Sequence, residues 1–353
     1  MQKAEVPTFV GELARDIEAE IAALIDHEED RWILEDPEFA VLFAEMRMLV
    51  LGGGKRMRPA FCLLGALAVG GSKCADVVRA GAALEMLHAM ALFHDDIIDG
   101  SASRRGQETT HVRHMRLHHE SAWAGDATRF GDGVAILVGD LAYVYADRLM
   151  ETMPARVRGV WTQMRLEVNF GQYLDVVGSA RRDFAPATAE RIGLFKTAKY
   201  TIERPLQIGA LIADPTVADG ILDALSGYGV SLGVAFQMRD DVLGVFGEPD
   251  VTGKPAGDDL RESKPTALIA EAIAAASPAQ RSVLDHIGDP RLDSSKVDDI
   301  RRVIAETGAL ASVESKIKAL TESAVRSLDE IDLHDDVREK FVSLAHAIAW
   351  RSV

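Results

Sequence analysis

An apolar run ends abruptly in three aspartates. In LEMLHAMALFHDDIIDGSASRRG, from Leu84 to Gly106, Asp95, Asp96 and Asp99 are followed by Arg104 and Arg105. A helical run stacks Asp95 and Asp99 a turn apart on one face, with Ala91 and His88 on nearly that same face. Like charges at that spacing cost a helix about 0.2–0.5 kcal/mol. A hard divalent cation held by carboxylate oxygens offsets this cost, and Mg²⁺ suits such donors. It takes one or two protein carboxylates and completes its shell with water and substrate phosphate.

A second acidic end follows another apolar run, SLGVAF, in Phe236-Gln237-Met238-Arg239-Asp240-Asp241. One aspartate pair is common, and two could be unrelated solvated helix ends. Two in equivalent settings point instead to carboxylates facing each other across a cavity, as metal sites in helix bundles are built.

The basic residues cluster as well. Gly52-Gly53-Gly54 leads into Lys55, Arg56, Met57, Arg58 and Pro59, a glycine run with three cations at a helix start. Glycines permit close backbone approach, and free N–H groups at a helix N-terminus favour anions. The spacing and the missing upstream strand exclude a Walker loop. Arg104 and Arg105 form a second cationic site, and Lys196, Lys199, Lys254 and Lys264 are available to extend it. A cavity with two acidic arms and two cationic sites wants two polyanions, one metal-bound and one not.

The elements that must hold these groups are helical nearly throughout. Val10, Leu13, Ile17, Ile21 and Leu24 recur at three- and four-residue steps over residues 8–27. Further helices are expected near 38–50, from Pro59 through Leu67, and centrally over 75–99. Others follow at 133–150, 155–178, 186–213 and 217–246. Shorter ones are expected at 266–276, 278–286, 296–307, 310–328 and 335–350. Residues 111–131, with His111, His114, His118 and His119, read as a loop or lid, and surface histidines suit them better than a zinc site. Residues 247–265 are turn-rich. No strand and no linker stands out, so the expected architecture is one large all-α domain over residues 1–353.

Composition sets limits. At 353 residues and 48% hydrophobic, the chain can bury a large core. Its net charge of −16 argues against nucleic acid, whose partners carry basic footprints. Cys62 and Cys74 form no disulfide framework and read as buried free thiols. No apolar stretch reaches membrane-spanning length, so the chain reads as soluble and cytoplasmic.

In order along the chain, GGGKRMRP, HDDIIDGSASRRG, GQYLD, KTAKY, FQMRDDVLGVFG and GKPAGDDLRESKPT resemble the motifs of the trans-isoprenyl diphosphate synthases, also called polyprenyl synthetases. The match covers about residues 45–270. The resemblance implies an all-α homodimer of the isoprenoid synthase type, whose helices surround a central cavity. There an allylic diphosphate is elongated by isopentenyl diphosphate, and inorganic diphosphate is released. It implies that Asp95, Asp99 and Asp240 hold two or three Mg²⁺ on the allylic diphosphate, with Asp96 and Asp241 in or beside that shell. Arg104, Lys196 and Lys254 would touch the same diphosphate, and Thr197 and Gln237 would line the reaction centre. Lys55, Arg58, His88 and Arg105 would bind isopentenyl diphosphate. One departure is Gly244, where many relatives carry a third aspartate.

The implied chemistry follows charge placement. Breaking the allylic C–O bond develops negative charge on diphosphate, where metal and cations stabilise it. The double bond of isopentenyl diphosphate attacks the carbocation, and the departing diphosphate takes the proton. A terpene cyclase or a hydrolase would leave Lys55, Arg58 and Arg105 idle, while a non-catalytic partner subunit would not need both acidic motifs. Positions four and five before the first aspartate, Ala91 and Met90, are expected to floor the chain-elongation path. Ala91 is small and Met90 is mid-sized and flexible, with Leu87, Met86 and Leu84 further down. This predicts geranylgeranyl diphosphate as product, with farnesyl diphosphate the alternative.

Overall fold

The computed structural model describes residues 7–247, 257–289 and 291–350. Helix α1 (Thr8–Trp32) buries the stripe Val10, Leu13, Ile17, Ile21 and Ile25. Helix α2 (Ala40–Leu51) stops at Gly52, and α3 (Met57–Ala68) carries Pro59 in its first turn, where a missing N–H costs nothing. Helix α4 (Ala75–Ile98) buries every residue from Ala80 to Leu87. A helix apolar nearly all round belongs in an interior. It packs most extensively against α6 (Ala127–Met150), and α3 against α9 (Arg204–Ala213). Among the described residues, no helix is long and apolar enough to cross a membrane.

The remaining helices are α5 (Thr110–Glu120), α7 (Ala155–Arg181), α8 (Pro186–Ile192), α10 (Asp219–Phe246), α11 (Asp258–Arg261), α12 (Ala267–Ala275), α13 (Pro278–Leu284), α14 (Ser294–Glu306), α15 (Ala309–Ser327) and α16 (Asp335–Ala349). Between α8 and α9 the chain stays helical, as the pattern over 186–213 predicts. Its middle, Gly193–Glu203, is π-helical. Neighbouring helices press on this widened turn at glycines. A Cβ at Gly171 of α7 would overlap the Lys196 backbone, and one at Gly233 of α10 would overlap Ala198. Such π segments are frequent at functional sites.

Three expectations are corrected. Residues 111–131 are not a loop: α5 and the start of α6 fill most of the segment, and His114 and His118 are buried. His118 stacks near Phe130 and Trp123, so the polar sequence hides one apolar face. Strands do occur, as a hairpin of β1 (Ser103–Arg104) and β2 (Gln107–Glu108) too short for any two-residue periodicity to show. Its turn residues Arg105 and Gly106 both have positive φ, the geometry of a tight hairpin turn. Cys74, before α4, is exposed, and only Cys62 is buried.

Helix α5 is stapled to α2 through Glu45. Thr110 Oγ1 donates to Glu45 Oε2 at 2.7 Å, His114 Nε2 lies 3.2 Å from Oε1, and Arg113 pairs with the same carboxylate. Burial alone would raise the Glu45 pKa, but bonds from His114, Arg113 and Thr110 reverse this and hold it at about 2. A depressed folded pKa stabilises above the unfolded value, and that contribution is lost as pH falls through the folded one. Glu45→Gln should therefore cost roughly 3 kcal/mol at neutral pH, with the gap from wild type closing between about pH 4.5 and pH 2. Urea midpoints at pH 7 and pH 3 check this, and a gap equally wide at both would contradict it.

Candidate active site

A cavity of about 700 Å³ opens where α4, α7, the π segment and α10 meet the α2–α3 connection and the hairpin. Its walls carry ten of the residues singled out from sequence. These are Lys55, Arg58, His88, Ala91, Asp95, Arg104, Arg105, Lys196, Thr197 and Asp240.

Six others stand apart from that wall or beyond the described residues. Asp96 is buried behind it and pairs with Arg104 at 2.6 Å, fixing the guanidinium that faces the cavity. Asp99 lies just past the last helical residue of α4, where it accepts from Lys264 Nζ at 2.9 Å. It borders a separate cavity of about 230 Å³, with Asp175 and Glu262. Asp241 points into the protein, accepting from Gln237 Nε2 at 2.7 Å and the Ala267 N–H at 3.3 Å. Gln237 in turn accepts from Thr197. Met90 packs against the core, and Leu92 lines the cavity beside Ala91. Lys254 lies outside the described residues.

Two ends of the cavity differ in electrostatics. At the acidic end, Lys196 Nζ lies 3.4 Å from Asp95 and 2.5 Å from Asp175, while Gln172 donates to Asp95 at 2.9 Å. Burial opposes ionisation of Asp95, yet Lys196, Lys264 and Arg104 hold its carboxyl below the usual range. Burial works against Lys196 too, but Asp175 and Asp95 raise its pKa. Burial pushes Asp241 up to about 7, with Asp259 adding to the effect.

The other end has surplus positive charge. Arg58 sits 4.3 Å from the Tyr200 ring centroid, and its Nη2 donates to Thr201 at 3.2 Å. Its Nε, and Nδ1 of His88, are buried without a partner. Burial, then the charges of Arg58 and Arg105, push His88 well below its ordinary pKa, so its ring is neutral. Burial, then Arg56, depress Arg105 as well. Arg105 reaches the Leu49 carbonyl at 3.2 Å from a residue with positive φ. Orphaned polar atoms beside the guanidinium groups of Arg58 and Arg105 fit an anion.

The acidic end suits a hard cation in donor chemistry, all oxygen. Among the described residues, no group of three or more carboxylate, imidazole or thiol side chains converges into a ready-made metal shell. An ion held there would need further oxygen ligands from outside these side chains, which Mg²⁺ usually takes from water and substrate phosphate.

Sequence reasoning left some residues without roles. Gln172 and Asp175, in GQYLD, share a face of α7, and only their i, i+3 spacing after Gly171 hinted at this. Lys264 was only one of several spare cations. Arg56 is no anion ligand. It is a buried strut, paired with Glu85 at 2.6 Å and Glu18 at 2.8 Å, and it holds the glycine-rich connection against α4 and α1.

An all-α cavity with an acid-rich and a cation-rich end defines a class of enzyme that handles two polyanions at once. The polyprenyl synthetase family model matches residues 40–307. Geranylfarnesyl diphosphate synthase of Aeropyrum pernix is 32% identical over 310 residues, 84% of this chain and 89% of that protein. Geranylgeranyl diphosphate synthase of Methanosarcina mazei is 32% identical over 295 residues, 82% of this chain and 83% of that protein. A solved geranylgeranyl pyrophosphate synthase from Corynebacterium glutamicum, complexed with isoprenyl diphosphate and magnesium, superposes with a TM-score of 0.92. It is 37% identical, over 97% of this chain and 99% of that one. The chain belongs to the polyprenyl synthetase family and is a prenyltransferase with the all-α isoprenoid synthase fold.

Proposed function

We propose that this prenyltransferase condenses an allylic diphosphate (dimethylallyl, geranyl or farnesyl) with isopentenyl diphosphate, releases diphosphate, and makes geranylgeranyl diphosphate. The observation that carries the reading is the charge asymmetry of one cavity. Its acidic end suits a metal-bound diphosphate, and its cationic end, with unpartnered atoms on Arg58 and His88, suits a second one. A cyclase or hydrolase has one diphosphate to bind and no use for the second patch.

In this reading Asp95 and Asp240 on the cavity wall, with Asp99 four residues beyond Asp95, would hold the allylic diphosphate through two or three Mg²⁺. When bound, these ions would neutralise the charge that develops on the leaving group. Lys196 and Arg104 face the same oxygens and stabilise that charge from fixed positions, which is worth most in a dry site. Lys55, Arg58, His88 and Arg105 orient isopentenyl diphosphate so that its double bond meets the cationic carbon. Burial and the charges of Arg58 and Arg105 make His88 a weak base, and in this reading the departing diphosphate is the proton acceptor. Thr197 and Gln237, locked to each other and to Asp241, keep the reaction centre in shape.

One domain is the simplest organisation, because α3 contributes to two of the three hydrophobic clusters and α10 links the second to the third. A homodimer is supported by an apolar face left open on α6 and α7. Leu137, Val144, Leu166, Phe170 and Tyr173 there are about half exposed or more. Such patches mark association surfaces.

Chain length rests on the wall below Asp95. Geranylgeranyl synthases stand among the relatives, as does a geranylfarnesyl synthase, so the names alone leave the length open. Ala91 and Leu92 face the cavity, while Met90 is turned towards the core. Ala91→Phe should therefore shorten the product by at least one isoprene unit, and Met90→Tyr should act less. Chromatography of dephosphorylated products checks both. A wild-type product of thirty carbons or more, or no shortening with Ala91→Phe, would sink the floor model.

A further inference from the structure

The π-helical segment Gly193–Glu203 carries Lys196 and Thr197, so its register decides where both side chains point. One carboxylate grips that register from outside. Glu167 of α7 is buried and accepts from Arg204 Nε at 2.8 Å and Nη2 at 2.7 Å. Lys199 Nζ lies 3.3 Å from the same carboxylate. Lys199 and Arg204 are five residues apart. In an α-helix that spacing turns two side chains about 140° away from each other, so that they face different sides. In a π-helix, residues five apart are joined by a hydrogen bond and lie nearly in line. The Arg204 N–H does donate to the Lys199 carbonyl. The same two residues are therefore linked twice, through the backbone and through Glu167.

We infer that Glu167 is a positioning residue: by bridging Lys199 and Arg204 it holds the segment in π register, and so aims Lys196 at Asp95 and Asp175 and Thr197 at Gln237. The brace runs on into α10. Arg204 Nη1 donates to Gln207 at 2.7 Å, and Gln207 donates to Ser226 at 2.8 Å. Glu203 sits 3.4 Å from Lys199, where α10 approaches it at Gly229. A slip back to α register would pull Lys199 or Arg204 off Glu167 and strand a buried charge, which is costly. Gly171, one turn along α7 from Glu167, meets the Lys196 backbone, so one face of α7 sets both ends of the segment. The inference rests on the proposed reading of Lys196 and Thr197 as groups at the reacting diphosphate.

The test pairs steady-state kinetics with hydrogen–deuterium exchange read by mass spectrometry, and Tm alongside. Glu167→Gln keeps the shape of the side chain and removes the charge that both cations share. It should lower kcat about tenfold, because small misplacements of positioned groups are costly, and leave KM for isopentenyl diphosphate within about twofold. Amides in peptides spanning 193–204 should exchange at least about fivefold faster, with α1 unchanged as reference. Arg204→Lys keeps the charge but loses the two-pronged grip, and should show the same pattern more weakly. Gln163→Ala is the control. Gln163 Nε2 donates to the same carboxylate at 3.1 Å, but from α7 itself, so kcat and exchange should stay within about twofold of wild type. Unchanged kcat and exchange in Glu167→Gln, a lower Tm with kcat intact, or equal losses in Gln163→Ala would overturn the inference. If Glu167→Gln fails to fold, Arg204→Lys decides it by the same readouts. A wild type without prenyl transfer would contradict the proposed function itself, while exchange in the variants would still report on the brace.

Discussion

Replacing Asp95 by asparagine should lower kcat by about a thousandfold, equivalent to roughly 4 kcal/mol of transition-state stabilisation. Its carboxylate faces the cavity and is kept ionised by Lys196, Lys264 and Arg104. The amide preserves shape and the bond from Gln172 while removing the charge that would hold metal. Asp240→Asn should lose a similar factor, because that side chain also faces the cavity. The neighbouring Asp241→Asn is the internal control. Asp241 is buried and bonded to Gln237 and Ala267, so its loss should cost at most about tenfold in kcat. Circular-dichroism melts of all three should show folded protein. Equal losses at 240 and 241 would mean that the pair works as a unit and that the facing of α10 decides nothing.

The second large effect is a separation of substrates. Arg58→Ala should raise KM for isopentenyl diphosphate about 10–100-fold with little change in kcat, because it removes binding that is uniform between ground and transition states. Arg58 has a buried Nε without a partner, stacks on Tyr200, and shares the cavity wall with Arg105 and His88. Lys55→Ala should behave alike. Lys196→Ala should instead act through the allylic substrate, because its ammonium is shared between Asp95 and Asp175. Steady-state kinetics varying one substrate at saturating levels of the other give the answer. If Arg58→Ala changed only the allylic KM, the assignment of the two cavity ends would be reversed.

Much of this site can be read from residues alone, for a physical reason. Asp95 and Asp240 each follow an apolar stretch within a helix, and helical spacing turns sequence intervals into a shared face. The same spacing brought His88 and Ala91 to the cavity. It failed where one residue of rotation matters, since Leu92 and not Met90 joins Ala91 on the wall. Helix α5 escaped notice because its polar side chains make buried bonds to Glu45, which composition cannot distinguish from exposure. The π segment was hidden because a hydrogen bond shifted by one residue leaves the apolar pattern nearly intact.

The central claim is that one cavity joins two diphosphates, and isotope incorporation tests it most directly. Purified protein is given labelled isopentenyl diphosphate and an unlabelled allylic diphosphate, with Mg²⁺ or with excess EDTA. The account predicts label in a longer allylic diphosphate and one inorganic diphosphate released per isoprene unit added, both only with Mg²⁺. Consumption of the allylic substrate to an alcohol or hydrocarbon with the label left in isopentenyl diphosphate, or full turnover in EDTA, would contradict it.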